Sequence, residues 1–451
     1  MRPVVLRINT RIKKIVQALS CCSQKLFTSN LRKNYAKIII NLVAKENTIV
    51  GLDLGTQKTR VALATLEADG SLPNIAGIGI APSAGLRKGA IVDVHETIGS
   101  ITAALEDAER MSGVPIHHAV IAVGGSHLAA QESRGVVAIP NGSEITPTDL
   151  ERVLEAAQAV NLLANRQILK VIPKDYLIDE QKGIRNPIGM TGVRLEVNAH
   201  IITGLTPALK NLENAIHQSG VDVDDFVPAP LAAAEAVLAK RQKELGVVVI
   251  DLGASSTGLA IFEEGVIAGT AVLPLGGGAV TNDIAIGLRT SVDTAEKLKI
   301  EYGSVNPAES GARDTIDLAK ISRTESRMIE RGQLAEIIQA RYSEIFTLVN
   351  EKLAEIGLEG QLPAGAILTG GAAKIPELLG LARENLCLPV QIGFPTEIEG
   401  VINKIDDPTY ATVVGLILHG LREQRRGSGL PTLNFEKTFS GVKNFFKKLL
   451  P

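Results

Sequence analysis

The strongest constraint on how this chain folds is a motif that occurs twice. Val50-Gly51-Leu52-Asp53-Leu54-Gly55-Thr56 and Val249-Ile250-Asp251-Leu252-Gly253-Ala254-Ser255-Ser256-Thr257 both run an apolar stretch into Asp-Leu-Gly and a small residue. A second strand pattern follows each copy, TRVALATL after the first and TGLAIF after the second, so each motif closes a hairpin. The chemistry suits an anion. Glycine lets backbone N–H groups approach closely, and hydroxyls beside it add donors. An Asp at the strand end can hold Mg²⁺ through water, since Mg²⁺ keeps much of its hydration shell. A single turn of this kind is what any Asp-Gly hairpin shows. Two copies point to two similar half-domains facing each other across a nucleotide.

A third element, Ala366-Ile367-Leu368-Thr369-Gly370-Gly371-Ala372-Ala373-Lys374-Ile375-Pro376, reads as a strand, a glycine pair and a helix start. Alone it is an ordinary βα turn. After the other two it supplies a flat backbone surface for a base or ribose.

Composition agrees with an α/β protein of two or more domains: 451 residues, 45% apolar, 43 Gly. A net charge of −2 gives no global attraction to nucleic acid, and none is expected as a partner. Three cysteines, Cys21, Cys22 and Cys387, make neither a disulfide framework nor a metal set. Apolar runs such as IIINLVA fall short of the roughly 20 residues a membrane span needs. Residues 1–45 are different, with ten Lys or Arg and no Asp or Glu. Such a leader reads as a transit peptide, a nucleic-acid arm, a floppy extension, or a start site set too far upstream, with Val43 a natural beginning.

From Thr48 the pattern is orderly. NTIVGLDLG and TRVALATL form a hairpin with GTQK at its turn, and VHETIGSITAALEDAERMSG an amphipathic helix stopped by Gly113. HHAVIAVGG is a strand, and TPTDLERVLEAAQAV a helix capped from Thr146, Pro147 or Thr148. VRLEVNAHIITG alternates as a strand and PALKNLENAIHQSG is helical. GVVVIDLGASSTGLAIFEEGVIAG reads as three strands, and 280–357 as helix-rich.

The three turns together resemble the actin, heat-shock chaperone and sugar-kinase superfamily, at 51–59, 249–258 and 366–376. The resemblance implies ATP and Mg²⁺ as ligands. It places Asp53 and Asp251 near the metal, held through water. Gly55, Thr56, Gln57, Lys58, Gly253, Ala254, Ser255, Ser256 and Thr257 would lie along the phosphates, and Gly370 and Gly371 against the adenosine. Ala295-Glu296-Lys297-Leu298-Lys299 is similar to a helix that touches ribose and base in chaperone-type members, which assigns Glu296 and Lys299 there; by itself the pair also reads as a solvated i,i+3 pair.

Within the superfamily, GGSHLAAQESRGVVAI, QILKVIPKDYLIDEQKGIRNPIGMTGVRLEVNAHIITG and GGGAVTNDIAIGLRTSVDTAEKLKIEYG resemble the FtsA family of actin-like bacterial cell-division proteins, over about 47–425 and again in the terminal helix. The expected fold is α/β and actin-like, with two lobes around a nucleotide cleft, an inserted subdomain and a C-terminal amphipathic helix. The expected boundaries are 46–127 and 204–245 for the first lobe with a closing helix in 396–426, 128–203 for the insert, 246–275 and 341–395 for the second-lobe core, and 276–340 for its outer part. The resemblance implies that 276–340 holds the C-terminal tail of FtsZ, and that the insert serves filament contacts and later divisome proteins.

Hydrolytic relatives carry a Glu or Gln near the Pro of the connecting segment. Here that segment is Pro228-Ala229-Pro230-Leu231-Ala232-Ala233-Ala234-Glu235. Ala229 cannot polarise water, and Glu235, the one remaining catalytic candidate, lies a helical turn onward. ATP is therefore expected to act mainly as a structural ligand, with at most slow hydrolysis.

The end of the chain reads on its own terms. After a 427–434 linker containing Gly-Ser-Gly-Leu-Pro, residues 435–451 hold four of the nine Phe, four Lys and one Glu. On a helix Phe435, Phe439, Val442, Phe446 and Leu449 make one stripe, with Phe445 beside it and Lys443, Lys447 and Lys448 flanking or opposite. That suits a helix lying in the headgroup plane of anionic inner-membrane lipid; a tail folded back on the core or a partner-binding helix is the alternative, though a core helix rarely carries so many lysines and so few acids. Each partly buried Phe contributes about 1–2 kcal/mol and each Lys about 1 kcal/mol. One tail then binds weakly and many on a filament bind tightly. The FtsA resemblance implies a location on the cytoplasmic face of the membrane at the septum.

The rival of the same fold is a PilM-like pilus-assembly adaptor, which lacks such a helix. A sugar or acetate kinase needs a catalytic Asp in a substrate pocket, and the sequence offers no clear candidate. A DnaK-like chaperone needs a further β domain after the ATPase.

Overall fold

The structure, a computed structural model, describes residues 48–66, 72–160, 162–309, 314–322, 325–401 and 405–427. The basic leader and the 435–451 strip lie outside the described residues.

The first lobe opens with the expected hairpin, β1 (Thr48–Leu54) and β2 (Lys58–Thr65), extended by antiparallel β3 (Asn74–Pro82). A two-residue ribbon, β4 (Leu86–Arg87) and β5 (Ala90–Ile91), turns at Lys88 and Gly89, both at positive φ. In α1 (Val94–Ser112) the Asp93 side chain accepts from the Glu96 amide, and Gly113 ends the helix in the left-handed region at φ 72°. Its face of Ile101, Ala104, Leu105 and Ala108 packs into the core of this lobe. β6 (His118–Val123) then runs parallel to β1.

After β6 the chain leaves this sheet and builds another. β7 (Ala129–Ala138), α2 (Pro147–Gln158), β8 (Arg166–Ile178), β9 (Gln181–Ile184) and β10 (Arg194–Leu205) make a four-stranded antiparallel sheet, order β7-β10-β8-β9, carrying one helix. Thr146 and Asp149 form a reciprocal capping box, with Pro147 in the first turn. Val153 and Ala157 of α2 pack on Val197 and Ala199 of β10. β8 tolerates Pro173 because the register with β10 shifts between Asn198 and Ala199, where a missing N–H costs little. The insert also touches the second lobe. Buried His200 places Nδ1 3.0 Å from Glu132 Oε1 and Nε2 2.8 Å from Thr270 Oγ1. Then α3 (Thr206–Gln218) and β11 (Asp222–Pro228), parallel to β6, return the chain to the first sheet.

Two helices, α4 (Ala229–Val237) and α5 (Lys240–Leu245), lead to the second lobe. β12 (Val247–Leu252), β13 (Thr257–Glu263) and β14 (Val266–Leu273) form the expected three-stranded meander. The helix-rich stretch is α6 (Gly277–Gly287), α7 (Val292–Tyr302) and α8 (Arg331–Glu355), with a small ribbon of β15 (Thr315–Asp317) and β16 (Met328–Glu330). α8 runs unbroken through the expected 340/341 border, so the outer and core parts of this lobe share it. β17 (Ala366–Thr369), α9 (Leu378–Leu386) and β18 (Val390–Ile392) complete the sheet β14-β13-β12-β17-β18.

The chain then crosses back. β19 (Glu399–Gly400) lies beside β3, giving the order β11-β6-β1-β2-β3-β19. α10 (Ala411–Gly427) buries Val413, Val414, Leu416 and Ile417 against the lobe's core. The two sheets thus repeat one plan, a meander with parallel strands added beside its first strand. Among the described residues no helix is long and apolar enough to cross a membrane.

Candidate functional site

The two Asp-Leu-Gly motifs fold alike. Asp53 and Asp251 sit at or near the ends of β1 and β12, at the mouth of the turn each hairpin makes. A Cβ on Gly55 would stand 2.8 Å from the Lys58 carbonyl, and one on Gly253 2.8 Å from the Ser256 carbonyl, so both turns close too tightly for a side chain. The second is also braced by the start of α6, where Gly277 and Gly278 donate to the carbonyls of Gly253 and Ala254.

The turns meet. Thr56 Oγ1 and Ser255 Oγ are 2.7 Å apart, and Gln57 Nε2 donates to Glu296 Oε1 at 3.1 Å. Between them lies a cavity of about 130 Å³, walled by both turns, both aspartates and the Gly370-Gly371 pair. Gly370 has φ 86°, and a Cβ there would fall 2.5 Å from Asp251 Oδ1. The third turn therefore presses its bare backbone on the second aspartate. It is tied to the turn that precedes α10, since Gly370 N donates to the Pro408 carbonyl at 3.2 Å.

Most of the expected site residues are brought together here: Asp53, Gly55, Thr56, Gln57, Lys58, Asp251, Gly253, Ala254, Ser255, Ser256, Gly370 and Gly371 all line the cavity. Glu296 and Lys299 are not among the residues that line it; Glu296 meets the lining residue Gln57, and the two form a tied cluster rather than a solvated pair. Lys299 Nζ donates to Glu296 Oε2 at 2.6 Å, to Thr281 Oγ1 at 2.7 Å and to the Gly277 carbonyl at 3.0 Å. Burial works to raise the Glu296 carboxyl, but these bonds outweigh it and hold it below the usual range.

Two expectations are corrected. Thr257 is fully buried, and its hydroxyl donates to the Leu275 carbonyl at 2.8 Å, because strand alternation turns this first residue of β13 to the core. Glu235 does not reach the cavity. Arg422 Nη1 of α10 donates to it at 2.7 Å and Lys243 Nζ lies 3.5 Å away. Ala229, by contrast, does line the cavity.

Several wall residues escaped the sequence reading: Arg60, Gly89, Gly124, Gly125, Thr409 and Thr412. The Gly124-Gly125 pair after a strand was a usable signal. The others reach the wall through tertiary placement that local pattern does not carry.

The electrostatics of the cavity are set by its two aspartates and Arg60. Crowding by protein atoms pushes the Asp53 carboxyl above its usual range, partly offset by Arg60. Asp251 is pushed to about 7 by burial and then by Asp53, against Arg60 and a hydrogen bond with Thr412. Two buried carboxylates, one from each half of the fold, with Asp53 raising Asp251, form a donor set that a hydrated divalent cation would relieve.

A model of the family Cell division protein FtsA matches residues 248–415, and a model of the SHS2 domain inserted in FtsA matches 125–203. The chain is 42% identical to the cell division protein FtsA of Pseudomonas aeruginosa, over 85% of this chain and 91% of that protein. It is 40% identical to that of Bacillus subtilis, over 83% of this chain and 84% of that one. Among solved structures, the PilM-PilN type IV pilus biogenesis complex aligns with a TM-score of 0.60 at 16% identity, covering 83% of this chain and 98% of that one, which shows the shared actin-like fold alone. With its duplicated Asp-Leu-Gly cleft, its inserted domain and relatives this similar over most of their length, the chain belongs to the FtsA family of cell-division proteins.

Proposed function

We propose that this protein binds ATP with Mg²⁺ in the cleft, polymerises, and tethers the FtsZ ring to the cytoplasmic membrane. The observation that carries this reading is the convergence of three separate glycine turns and two aspartates on one cavity, with the first two turns hydrogen-bonded across it. Asp53 and Asp251 would hold the metal through water. The turn backbones, with Thr56, Ser255 and Ser256, would take the phosphates, and Gly370-Gly371 with Glu296 and Lys299 the adenosine. When bound, the metal supplies the positive charge that the carboxylate pair and the phosphates lack.

Ala229 at the wall and Glu235 held by Arg422 support ATP as a structural ligand rather than a fast-turning substrate. A ligand that grips both lobes favours the closed form by its differential affinity. Closed protomers would stack, and their 435–451 strips would hold the filament on anionic lipid. The 276–340 region would take the FtsZ tail, and the 128–203 insert would serve filament contacts and later divisome proteins, all at the septum. The pilus-adaptor alternative rests on a fold-level likeness, whereas the FtsA relatives share about 40% of their residues with this chain.

Equilibrium titration of a fluorescent ATP analogue into the full chain tests the cleft. Saturable binding that Asp251→Asn weakens by about tenfold or more supports it. Equal binding by the variant would move the nucleotide elsewhere.

A further inference from the structure

We infer that the insert is a latch on the cleft: rooted in the first lobe and gripping the second through His200 and Thr270, it opposes the widening that a nucleotide requires, so that nucleotide occupancy and the seating of the insert are linked. The inference rests on the reading of the cleft as an ATP site.

The root of the insert is pinned at both ends. Arg166, the first residue of β8, donates through Nη2 to the His127 carbonyl at 2.8 Å, where the chain leaves the first sheet. The same nitrogen donates to the Thr203 carbonyl at 3.0 Å, close to where the chain returns. Farther along β8, Lys170 Nζ lies 2.5 Å from Asp225 Oδ2 of β11, and His419 Nε2 of α10 meets that oxygen at 2.9 Å. These bonds fix the insert to the first lobe. Whatever it holds on the second lobe therefore joins the two lobes.

The grip falls on β14 and the turn before it. Burial works to raise the Glu132 carboxyl, but His200 and Lys174 outweigh it and hold it below the usual range. An ionised carboxylate only accepts, so Nδ1 of the buried His200 carries the proton toward Glu132, and Nε2 is left facing the Thr270 hydroxyl. Lys174 Nζ donates to Glu132 at 3.3 Å and to the Ala268 carbonyl at 3.5 Å, and Arg185 donates to the Glu264 carbonyl.

β14 also reaches the cleft. Val272 lines the cavity two residues beyond Thr270, so alternation puts both side chains on one face of one strand, about 7 Å apart. A shift of the second lobe that widens the cavity moves the two together and draws Thr270 away from His200. The cavity of about 130 Å³ is smaller than the roughly 300 Å³ of a typical small-ligand pocket, so a nucleotide must widen it. Widening leaves a buried ring nitrogen without its partner, and that cost opposes binding. By reciprocity the ligand loosens the insert by the same factor as the insert weakens the ligand.

The test joins two measurements on the full chain: affinity for a fluorescent ATP analogue, and deuterium exchange of the amides in 264–273 with and without saturating analogue. Wild type, Thr270→Val and Thr270→Ser are compared. Thr270→Val keeps the shape and removes the hydroxyl. It should bind about three- to tenfold tighter, one hydrogen bond's worth, and exchange fast with or without the analogue. Wild type should exchange slowly alone and faster with the analogue, and Thr270→Ser, which restores the hydroxyl, should follow it. If Thr270→Val does not fold, His200→Asn, long enough for Glu132 but too short for Thr270, takes its place. Equal or weaker binding by the valine variant, or exchange in wild type that the analogue does not change, overturns the latch while leaving the ATP site standing. Absence of wild-type binding overturns the ATP reading and this inference with it.

Discussion

The hydroxyls of Thr56 and Ser255 lie 2.7 Å apart although 199 positions of sequence separate them. They belong to the two copies of one motif, so the hydrogen bond joins the lobes at the point where the sequence repeats itself. The cavity they help enclose, about 130 Å³, is smaller than the roughly 300 Å³ of a typical small-ligand pocket. Phosphates entering it would part the pair and take over both hydroxyls. Thr56→Val and Ser255→Ala should each weaken ATP binding by about five- to tenfold, one hydrogen bond's worth. In the nucleotide-free protein the double variant should be less destabilised than the sum of the singles, by about 0.5–1 kcal/mol, as measured by urea unfolding in a double-mutant cycle.

Gly370 carries a different load. At φ 86° with Asp251 Oδ1 and the Leu252 carbonyl pressing on its bare face, it has no room for a methyl group. Gly370→Ala should lower stability by about 1–3 kcal/mol through backbone strain and displacement of Asp251. Thermal melting and ATP titration on the same sample check this, and affinity should fall beyond what the loss of stability explains.

Legibility followed locality. The hairpin turns, the stop at Gly113 and the capping box at Thr146 were readable because Asp, Gly, Thr and Pro act within a few residues of themselves. Arg60 was not readable, since the Asp251 carboxyl that feels its charge and the Tyr410 ring it lies over are far along the chain. Thr257 looked like one more hydroxyl in the second motif, and strand alternation turned it inward. Glu235 looked available because its partner Arg422 is 187 positions away.

Glu235 gives the next prediction. Burial works to raise its carboxyl, but Arg422 and Lys243 hold it below the usual range. If its role is to bind α10 to α4, Glu235→Gln should cost about 1 kcal/mol of stability and leave ATP turnover unchanged within about twofold. A steady-state phosphate-release assay beside a urea melt separates the roles, and a large loss of turnover at unchanged stability would return Glu235 to catalysis.

Asp251 sets a pH dependence. Its carboxyl is raised from 3.8 to about 7 in the folded chain, so the fold holds a proton there that the unfolded chain releases. Between about pH 4 and 7 the folded state binds more protons, and stability falls as pH rises through that window, with the full cost present above it. Solvent at the cavity edge and coupling to Asp53 keep the effect on the order of 1–2 kcal/mol. Asp251→Asn should flatten this slope and stabilise the nucleotide-free protein at pH 8, visible in urea midpoints at pH 5.5 and 8.

The most direct test of the whole account is co-sedimentation with vesicles, comparing the full chain with one truncated after Leu430, on anionic and neutral lipid, with and without ATP. The full chain should pellet with anionic vesicles and do so more strongly with ATP, while the truncated chain stays in the supernatant. Equal pelleting of both chains, or pelleting of neither, would contradict a nucleotide-assembled tether held to the membrane by its C-terminal strip.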